Sequence, residues 1–523
     1  MLVSFLVLCS VAKGNTQTDK SLLSTWTPQL EGMVRFFQYS LNLLGSDSIP
    51  AGDKEIIINE SYLRIFRDAE VQIEDDLLEN RREITNKNVQ AYLRDVDFFF
   101  EHVQFQYHII DIRLEVNEKG APYFRIETKR TLEGLGLEGE TIKNHQTRYF
   151  EVSLDQSRRE LKIVSVYTRP IGQAEELSQW WASLPMDWKV FISKDISLPN
   201  SRALLSDILV ADSLAGPGDR YKIGEETVSL EPQWLGPAIQ TWLSKDSLDL
   251  TGTGLTDLEP LSRMRKLTWL NVAGLPLSDL KGLRNATQLQ YLNISGTQVR
   301  NLEPLRFCEK LRVLHAAGSQ IYNAAQLKHL IGLEEAYLTG SPLDRLDGIQ
   351  MAGQLTLLDL DSTLITSLAP LAGLPRLQQL SVAHCKISDV SPLASCPQLE
   401  RVNLENSLLK DLLPLKDLAK LRYVFCDDTP VSSASVAGFQ HVRPDVLVMF
   451  GTSDIQAWWE GLPPVWKEPI QAKTAQGKYR TKKEYLHALI RIDSLALPNR
   501  RIENISPLRF LSKLEYLDLS NNP

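Results

Sequence analysis

The 523-residue chain lacks the sequence patterns that usually accompany metal binding or covalent catalysis. Its five cysteines form no CxxC pair and no Cys/His cluster with zinc spacing. It has no GxSxG elbow, Walker loop, HExxH motif or EF-hand loop, and its eight histidines are scattered. These absences favour a protein that is not an enzyme, with no catalytic residues, no metal site and no cofactor.

Basic clusters and long apolar runs are also missing. The net charge is −8 and no block of Lys or Arg stands out, so we expect no nucleic-acid partner, because such a partner requires a basic face. No apolar run reaches the roughly 18 residues that cross a bilayer, so no integral membrane segment is expected.

The first residues form a short apolar stretch from Leu2 to Ala12. Its length fits the core of a signal peptide at residues 1–14, although the usual basic residues before it are missing. We therefore expect an exported protein, in the periplasm, at the cell surface or secreted. Cys9 leaves a lipid anchor open, and a buried first strand is the alternative to export.

The second half of the chain carries a leucine repeat with a period of 22 residues. Each unit begins L-x-x-L-x-L, as in Leu289, Leu292 and Ile294, and has a small residue at its ninth position. Repeat positions are numbered from the first leucine of each unit, which is one of Leu267, Leu289, Leu311, Leu333, Leu355, Leu377, Leu399 and Leu421. The alternating start predicts a short strand with one buried face, and single units must stack to bury their leucines.

The units resemble the 22-residue leucine-rich repeats of internalin-like bacterial proteins, which also favour Thr or Ser at the ninth position, here Thr297, Ser319 and Thr363. The resemblance covers residues 247 to about 450. It implies an α/β leucine-rich-repeat solenoid with a curved parallel sheet, used for protein recognition. The cysteines of this region lie on different coils, beyond the roughly 7 Å that a disulfide spans, so we predict that they are free and buried.

Two Trp-rich segments share the pattern WWxxLPxxWK, at residues 180–189 and 458–467. Each precedes a strand of the repeat type, and each therefore predicts a helical cap for an array whose first coil would otherwise expose an apolar edge. The predicted domains are a probable signal peptide at 1–14, an α+β domain at 15–170, a first cap at 171–244, the solenoid at 245–450, a second cap at 451–491, and the start of a second, truncated array at 492–523.

Residues 15–170 show no leucine pattern. Helical spacing at 21–44, 60–78 and 88–100 is followed by alternating stretches at 104–116, 122–131, 147–154 and 160–168, which predicts helices and then an antiparallel sheet. This order resembles the nuclear-transport-factor-2-like superfamily, which implies a curved sheet around a pocket. The acidic run Glu70, Glu74, Asp75 and Asp76 would supply carboxylates to that pocket or form a solvated helix face.

Repeat positions 3 and 5 should point outward onto the concave side of the solenoid. Several are aromatic or Arg, the residue types typical of interface anchors. The predicted partner-binding residues are Trp269, Tyr291, His315, Tyr337, Asp359, Arg401, Tyr423 and Phe425. They favour a protein or peptide ligand, and cross-strand aromatic packing without a ligand is the alternative.

Two other functions fit the same sequence. The N-terminal domain, or a segment beyond residue 523, would be an enzyme that the repeats deliver to its target. In the third hypothesis the repeats are a structural spacer on a lipid anchor. The preferred hypothesis is a non-catalytic interaction protein.

Overall fold

The computed structural model describes residues 16–77, 86–116, 121–136, 139–155, 160–168, 177, 180–196, 220–223, 226–229, 232–474, 477 and 479–523. The predicted signal peptide, Cys9 and much of the first predicted cap lie outside these residues. The chain divides into two compact units, Met1–Leu243 and Ser244–Pro523.

The first unit contains an α+β region. Its helices are α1 (Thr16–Leu44), α2 (Ala51–Asn59) and α3 (Val89–Phe99). Its strands are β1 (Gln72–Glu74), β2 (Asn86–Asn88), β3 (Phe100–Val116), β4 (Pro122–Gly136), β5 (Thr141–Asp155) and β6 (Glu160–Tyr167). They form one sheet in the order β2-β1-β6-β5-β4-β3, in which β3 to β6 are an antiparallel meander and β1 runs parallel to β6.

Helix α1 packs on β3 and covers one face of this sheet. The ring of Phe37 on α1 lies 5.9 Å from that of Phe150 on β5, and both side chains are buried. Helix α3 begins where the Asn88 side chain accepts a hydrogen bond from the Ala91 amide at 2.8 Å, a typical N-cap. The predicted helices at 21–44 and 88–100 and the four predicted strands are therefore confirmed.

The predicted helix at 60–78 is wrong. A short 3-10 turn at Ser61–Arg64 is followed by strand β1, whose Ile73 pairs with Val166 of β6. Val71 and Ile73 alternate with polar residues at the period of a strand, and both are buried. Glu74 and Asp76 are also buried, so the acidic run is not a solvated helix face.

The first unit continues with α4 (Met186–Ser193), the hairpin β7 (Arg220–Ile223) and β8 (Glu226–Ser229), and α5 (Pro232–Leu243). Trp188 of α4 and Trp242 of α5 are buried, with their rings 6.5 Å apart and nearly perpendicular. The pattern that the two Trp-rich segments share thus includes a core residue here, Trp188.

The second unit is built on a ten-stranded parallel sheet whose strands follow the order of the chain. The strands are β9 (Ser247–Asp249), β10 (Trp269–Asn271), β11 (Tyr291–Asn293), β12 (Val313–His315), β13 (Glu335–Tyr337), β14 (Leu357–Asp359), β15 (Gln379–Ser381), β16 (Arg401–Asn403), β17 (Tyr423–Phe425) and β18 (Leu447–Met449). Helix α6 (Ser433–Val442) precedes β18, and short 3-10 turns such as Glu303–Leu305 close most of the other coils. The predicted leucine-rich solenoid with its parallel sheet is confirmed.

Three helices follow the first array: α7 (Thr452–Gly461), α8 (Pro464–Ala472) and α9 (Lys482–Leu489). Two further parallel strands, β19 (Ser494–Ala496) and β20 (Tyr516–Asp518), then resume the repeat. Trp458 and Trp466 are buried in one cluster with Leu495 and Leu497, so the second Trp-rich segment packs on the coil that follows it.

In several coils the hydroxyl of the residue at position 9 bonds the turn. The hydroxyl of Thr297 donates to the carbonyl of Ile294 at 2.7 Å, and that of Thr363 donates to the carbonyl of Leu360 at 2.7 Å. These bonds give buried backbone carbonyls of the turn a side-chain donor, as expected from the small polar residue at position 9. Ser319, whose buried hydroxyl has no partner among the described residues, is an exception.

Candidate partner-binding face

Strict register aligns the outward residues of the first array. Trp269 pairs with Tyr291 and Asn271 with Asn293, and the same offset of 22 residues holds from β9 to β17. In most of these strands the middle residue is buried and the residues at positions 3 and 5 are half-buried. Positions 3 and 5 therefore form two continuous rows on the outer surface of the sheet.

Four rings on these rows form what we call the aromatic stack: Trp269, Tyr291, His315 and Tyr337. The rings of Trp269 and Tyr291 lie 5.2 Å apart and are nearly parallel, at 9°. His315 lies 5.4 Å from Tyr291 and 4.3 Å from Tyr337, to which it is parallel within 2°. The stack crosses from position 3 to position 5 between β11 and β12 and joins four successive coils.

Acidic groups line the end of the aromatic stack. The Tyr337 hydroxyl donates to a Glu335 carboxylate oxygen at 2.7 Å. Burial and this bond raise the pKa of Tyr337 to about 12, so its hydroxyl stays protonated. Burial lowers the pKa of His315 below its ordinary value, with Glu335 acting in the opposite direction, so the ring is uncharged at neutral pH.

Asp359 follows Tyr337 in the register and also has a structural role. Its carboxylate accepts the backbone N–H of Asp361 at 3.0 Å, as Asn293 accepts that of Ser295 at 3.0 Å. This Asx turn ends the strand, and it explains why Asn or Asp recurs at position 5. One oxygen of Asp359 therefore serves the backbone.

The other three predicted residues lie against the chain itself. Arg401 forms an ion pair with the fully buried Glu484 at the start of α9. Its guanidinium carbon lies 4.4 Å from the Tyr423 ring centre and 5.5 Å from that of Phe425. Phe425 is only 9% exposed and packs with Leu447 and Met449, so this outward position is closed.

Several further contacts hold α9 over this end of the sheet. Lys483 bridges Glu405 and Asp427. The Thr452 hydroxyl contacts Asp427 at 2.5 Å and the His487 Nε2 at 2.8 Å. Arg491 donates to the carbonyl of Val446 at 2.6 Å. The concave face is thus divided into the aromatic stack and a part occupied by α9.

Sequence reasoning missed α9 as a constituent of this face. A local signal for the helix exists, since Thr481-Lys482-Lys483-Glu484 has the spacing of a capping box. The Thr481 hydroxyl accepts the Glu484 amide at 3.2 Å. Nothing in that pattern indicates where the helix packs, because its partner Arg401 lies 83 residues earlier.

The cysteines of the repeats are buried and form no disulfide, as predicted: Cys308, Cys385, Cys396 and Cys426. Burial raises the pKa of each thiol that shows a shift, to about 12 for Cys426, which disfavours a reactive thiolate. In the described part of the chain, no three His, Cys, Asp or Glu side chains are grouped to hold a metal ion. None of the helices described there combines the length and apolar character needed to cross a bilayer.

The solved structures with some similarity to the chain include internalins. Among solved structures the chain is similar to an internalin (inlF) of Listeria monocytogenes strain 4b F2365, with a TM-score of 0.38, 22% identity, and coverage of 54% of this chain and 70% of that one. An internalin C2 (inlC2) of the same strain gives a TM-score of 0.32 and 23% identity over 50% of this chain and 96% of that one. The leucine-rich-repeat domain of APL1B gives a TM-score of 0.32 and 15% identity over 39% and 70%.

No curated protein matches the chain. The family model for leucine-rich repeats in two copies matches residues 353–395 and 375–417, which hold strands β14 to β16. These coils show the strand, the turn and the buried leucines that the repeat requires. Residues 353–417 are therefore leucine-rich repeats.

Proposed function

We propose that this chain is a non-catalytic interaction protein that binds a protein or peptide partner at the aromatic stack and Asp359. The observation that supports this most is the stack itself. Four rings from successive coils remain half-buried on the outer surface of a sheet where plain polar residues would suffice. Large flat side chains at such positions gain most when a partner completes their burial.

The charge around the stack favours a partner segment with Lys or Arg. Glu335, Asp359 and Asp361 lie at its end, and Asp249 lies one strand before Trp269. Aromatic faces and carboxylates together attract ammonium and guanidinium groups. We infer that a cationic side chain of the partner lies on the Tyr337 end of the stack.

Arg401, Tyr423 and Phe425 have a different role in this proposal. Arg401 pairs with Glu484 of α9 and packs on the rings of Tyr423 and Phe425, which favours a function of the three side chains in holding that helix. The partner would then meet α9 rather than these side chains. The proposed binding surface is accordingly the part of the sheet from β10 to β14.

Selection of a displayed random peptide library on the full chain tests this proposal. We expect enriched peptides to carry Lys or Arg next to an apolar residue. The double variant Trp269→Ala/Tyr337→Ala should bind the selected synthetic peptides at least about 30-fold more weakly in calorimetric titration, because loss of an anchor typically costs about 2 kcal/mol or more.

Tyr322→Ala is the matched control. Tyr322 is an aromatic residue of the same array that is 54% exposed and lies outside the strands. Its replacement should leave peptide affinity unchanged, and circular dichroism should show native secondary structure for both variants. Equal binding of the selected peptides to the double variant and to the wild-type chain would refute the proposal.

The finer domain assignments are part of the same proposal. We infer that the helices at α4–α5 and at α7–α9 are caps of the two arrays, which the buried Trp188, Trp242, Trp458 and Trp466 support. The order of α1 to α3 before the meander supports a nuclear-transport-factor-2-like domain. We also propose that the protein is bacterial and is exported by a signal peptide at residues 1–14; acylation of Cys9 as a lipid anchor is the alternative, since cleavage after residue 14 would remove it.

A further inference from the structure

A group of buried and half-buried polar side chains lies on the helix-covered face of the six-stranded sheet. Tyr107 of β3, Arg130 of β4 and Gln146 of β5 are cross-strand neighbours, and Arg148 follows two residues after Gln146 on the same face. The rings of Tyr107 and Phe37 of α1 lie 6.0 Å apart, which places α1 over this group. Both arginines are fully buried.

The two guanidinium groups of Arg130 and Arg148 share a single carboxylate as their direct ionic contact. Arg130 Nη2 lies 2.8 Å from Asp76 Oδ2, and Arg148 Nη1 lies 3.2 Å from the same oxygen. The Glu74 carboxylate is turned to Thr168, whose hydroxyl donates to it at 2.8 Å. One carboxylate oxygen therefore serves two buried guanidinium groups.

Several donors of this group have no acceptor among the described residues. They are Nε and Nη1 of Arg130, Nε of Arg148 and the Tyr107 hydroxyl. Arg148 Nη1 has its ionic contact with Asp76 but no hydrogen bond. Buried guanidinium N–H groups are rarely left unpaired, because burial removes the water that would otherwise accept from them. Burial also raises the pKa of Tyr107 to about 12, so its hydroxyl remains a donor.

We propose that this face of the sheet binds a small anion, whose carboxylate or other oxyanion group accepts hydrogen bonds from Tyr107, Arg130 and Arg148. Hydrogen bonds from a guanidinium N–H to an anionic oxygen are charge-assisted and stronger than those between neutral groups. The rings of Phe37, Phe105 and Phe150 around the group suit a ligand with a small apolar body. This site is independent of the aromatic stack, so either proposal stands without the other.

Anion titrations of the full chain test the site. The probes are the sodium salts of acetate, benzoate, phosphate and sulfate, each compared with chloride at equal ionic strength. We expect at least one probe to raise the melting temperature saturably and to bind in calorimetric titration, since a ligand that binds only the native state stabilises it. Benzoate against phosphate distinguishes an organic carboxylate from an inorganic oxyanion.

Two variants and one control locate the binding. Tyr107→Phe removes only a hydroxyl and should weaken the bound probe at least tenfold, and Arg130→Met should abolish its binding. Arg113→Gln, at an arginine of β3 whose side chain is 67% exposed, should leave it unchanged. If no probe exceeds chloride, or if Tyr107→Phe binds the probe as tightly as the wild-type chain, the anion site does not exist. Because Tyr107→Phe preserves the ring, this outcome can be reached even if Arg130→Met fails to fold.

Discussion

At the scale of single residues, position 8 of each repeat takes a left-handed backbone conformation. The φ angles are positive along the whole row: Gly274 (72°), Gly296 (70°), Gly318 (66°), Gly340 (70°), Ser362 (58°), His384 (58°), Asn406 (53°) and Asp428 (55°). Gly adopts this conformation freely, whereas a residue with a Cβ pays roughly 1–2 kcal/mol. The later coils therefore carry strain that the earlier coils avoid.

His384→Gly should raise the free energy of unfolding by about 1 kcal/mol, because it removes the left-handed strain at a small entropic cost. Urea denaturation at neutral pH measures the change. Asn406→Gly should gain less stability, since Asn tolerates this conformation. Gly318→Ala should lose about 1 kcal/mol of stability because of its positive φ, although the atom nearest to the added Cβ is 3.9 Å away. A loss of stability in His384→Gly would show that the imidazole makes a stabilising contact instead.

His487 should make the second unit less stable in acid. Burial lowers its pKa to about 4, with Asp427 acting against the shift and Lys483 and Arg491 adding to it. As the pH falls, His487 is therefore protonated at a lower pH in the folded state than in the unfolded chain, where the histidine pKa is near 6.5. The stabilisation is complete above about pH 6.5 and is lost as the pH falls to about 4, by roughly 3 kcal/mol in all.

Denaturant unfolding of wild type and His487→Gln between pH 7 and pH 4 checks this dependence. The variant should lose a large part of the slope in that range. Some dependence of the unfolding free energy on pH should remain, because burial also lowers the pKa of His329 to about 4. The double variant His487→Gln/His329→Gln should show a smaller dependence still. An identical slope in wild type and His487→Gln would contradict the assignment.

At the scale of secondary-structure elements, the buried pair Arg401–Glu484 should decide whether α9 stays on the sheet. Arg401→Met alone should cost about 3–5 kcal/mol, because it leaves the Glu484 carboxylate buried without its counter-charge. The double variant Arg401→Met/Glu484→Gln should cost less than the sum of the two single changes, since it leaves no charge unpaired. Unfolding free energies of the four proteins give the coupling.

Lys482→Ala supplies the comparison for that cycle. Lys482 is the first residue of α9 and is 69% exposed, with its ammonium 4.0 Å from Glu460. Its removal should change stability by less than about 0.5 kcal/mol. Additive costs for Arg401→Met and Glu484→Gln would mean that the two groups act separately.

The sequence predicted the features that depend on a local, repeated pattern of residues. The strands, the hydroxyl at position 9 and the register of Trp269 with Tyr291 follow from a 22-residue period that each coil repeats. Strand β1 was missed because three residues of alternation are a weak pattern and its partner β6 lies some ninety residues later. The burial of Phe425 was missed because Leu447 and Met449, which pack against it, lie on β18, outside the 22-residue register.

At the scale of the whole molecule, stacking makes stability depend on neighbouring coils. Leu358 is 0% exposed because β13 and β15 flank its strand, whereas Leu408, on a later coil of the same array, is 51% exposed. Leu358→Ala should therefore cost about 2–5 kcal/mol and Leu408→Ala under about 1 kcal/mol. Chemical denaturation followed by circular dichroism measures both, and equal costs would contradict the dependence on neighbours.

The spacing of the coils also limits which peptide sequences the aromatic stack can recognise. Adjacent strands lie about 4.8 Å apart, whereas an extended peptide advances about 3.3 Å per residue. A peptide lying along the solenoid axis therefore drifts out of step with the coils and comes back into step after about three of its residues and two coils. A side chain in register with Trp269 would thus be followed, three residues later, by one in register with His315, and the same spacing relates Tyr291 to Tyr337.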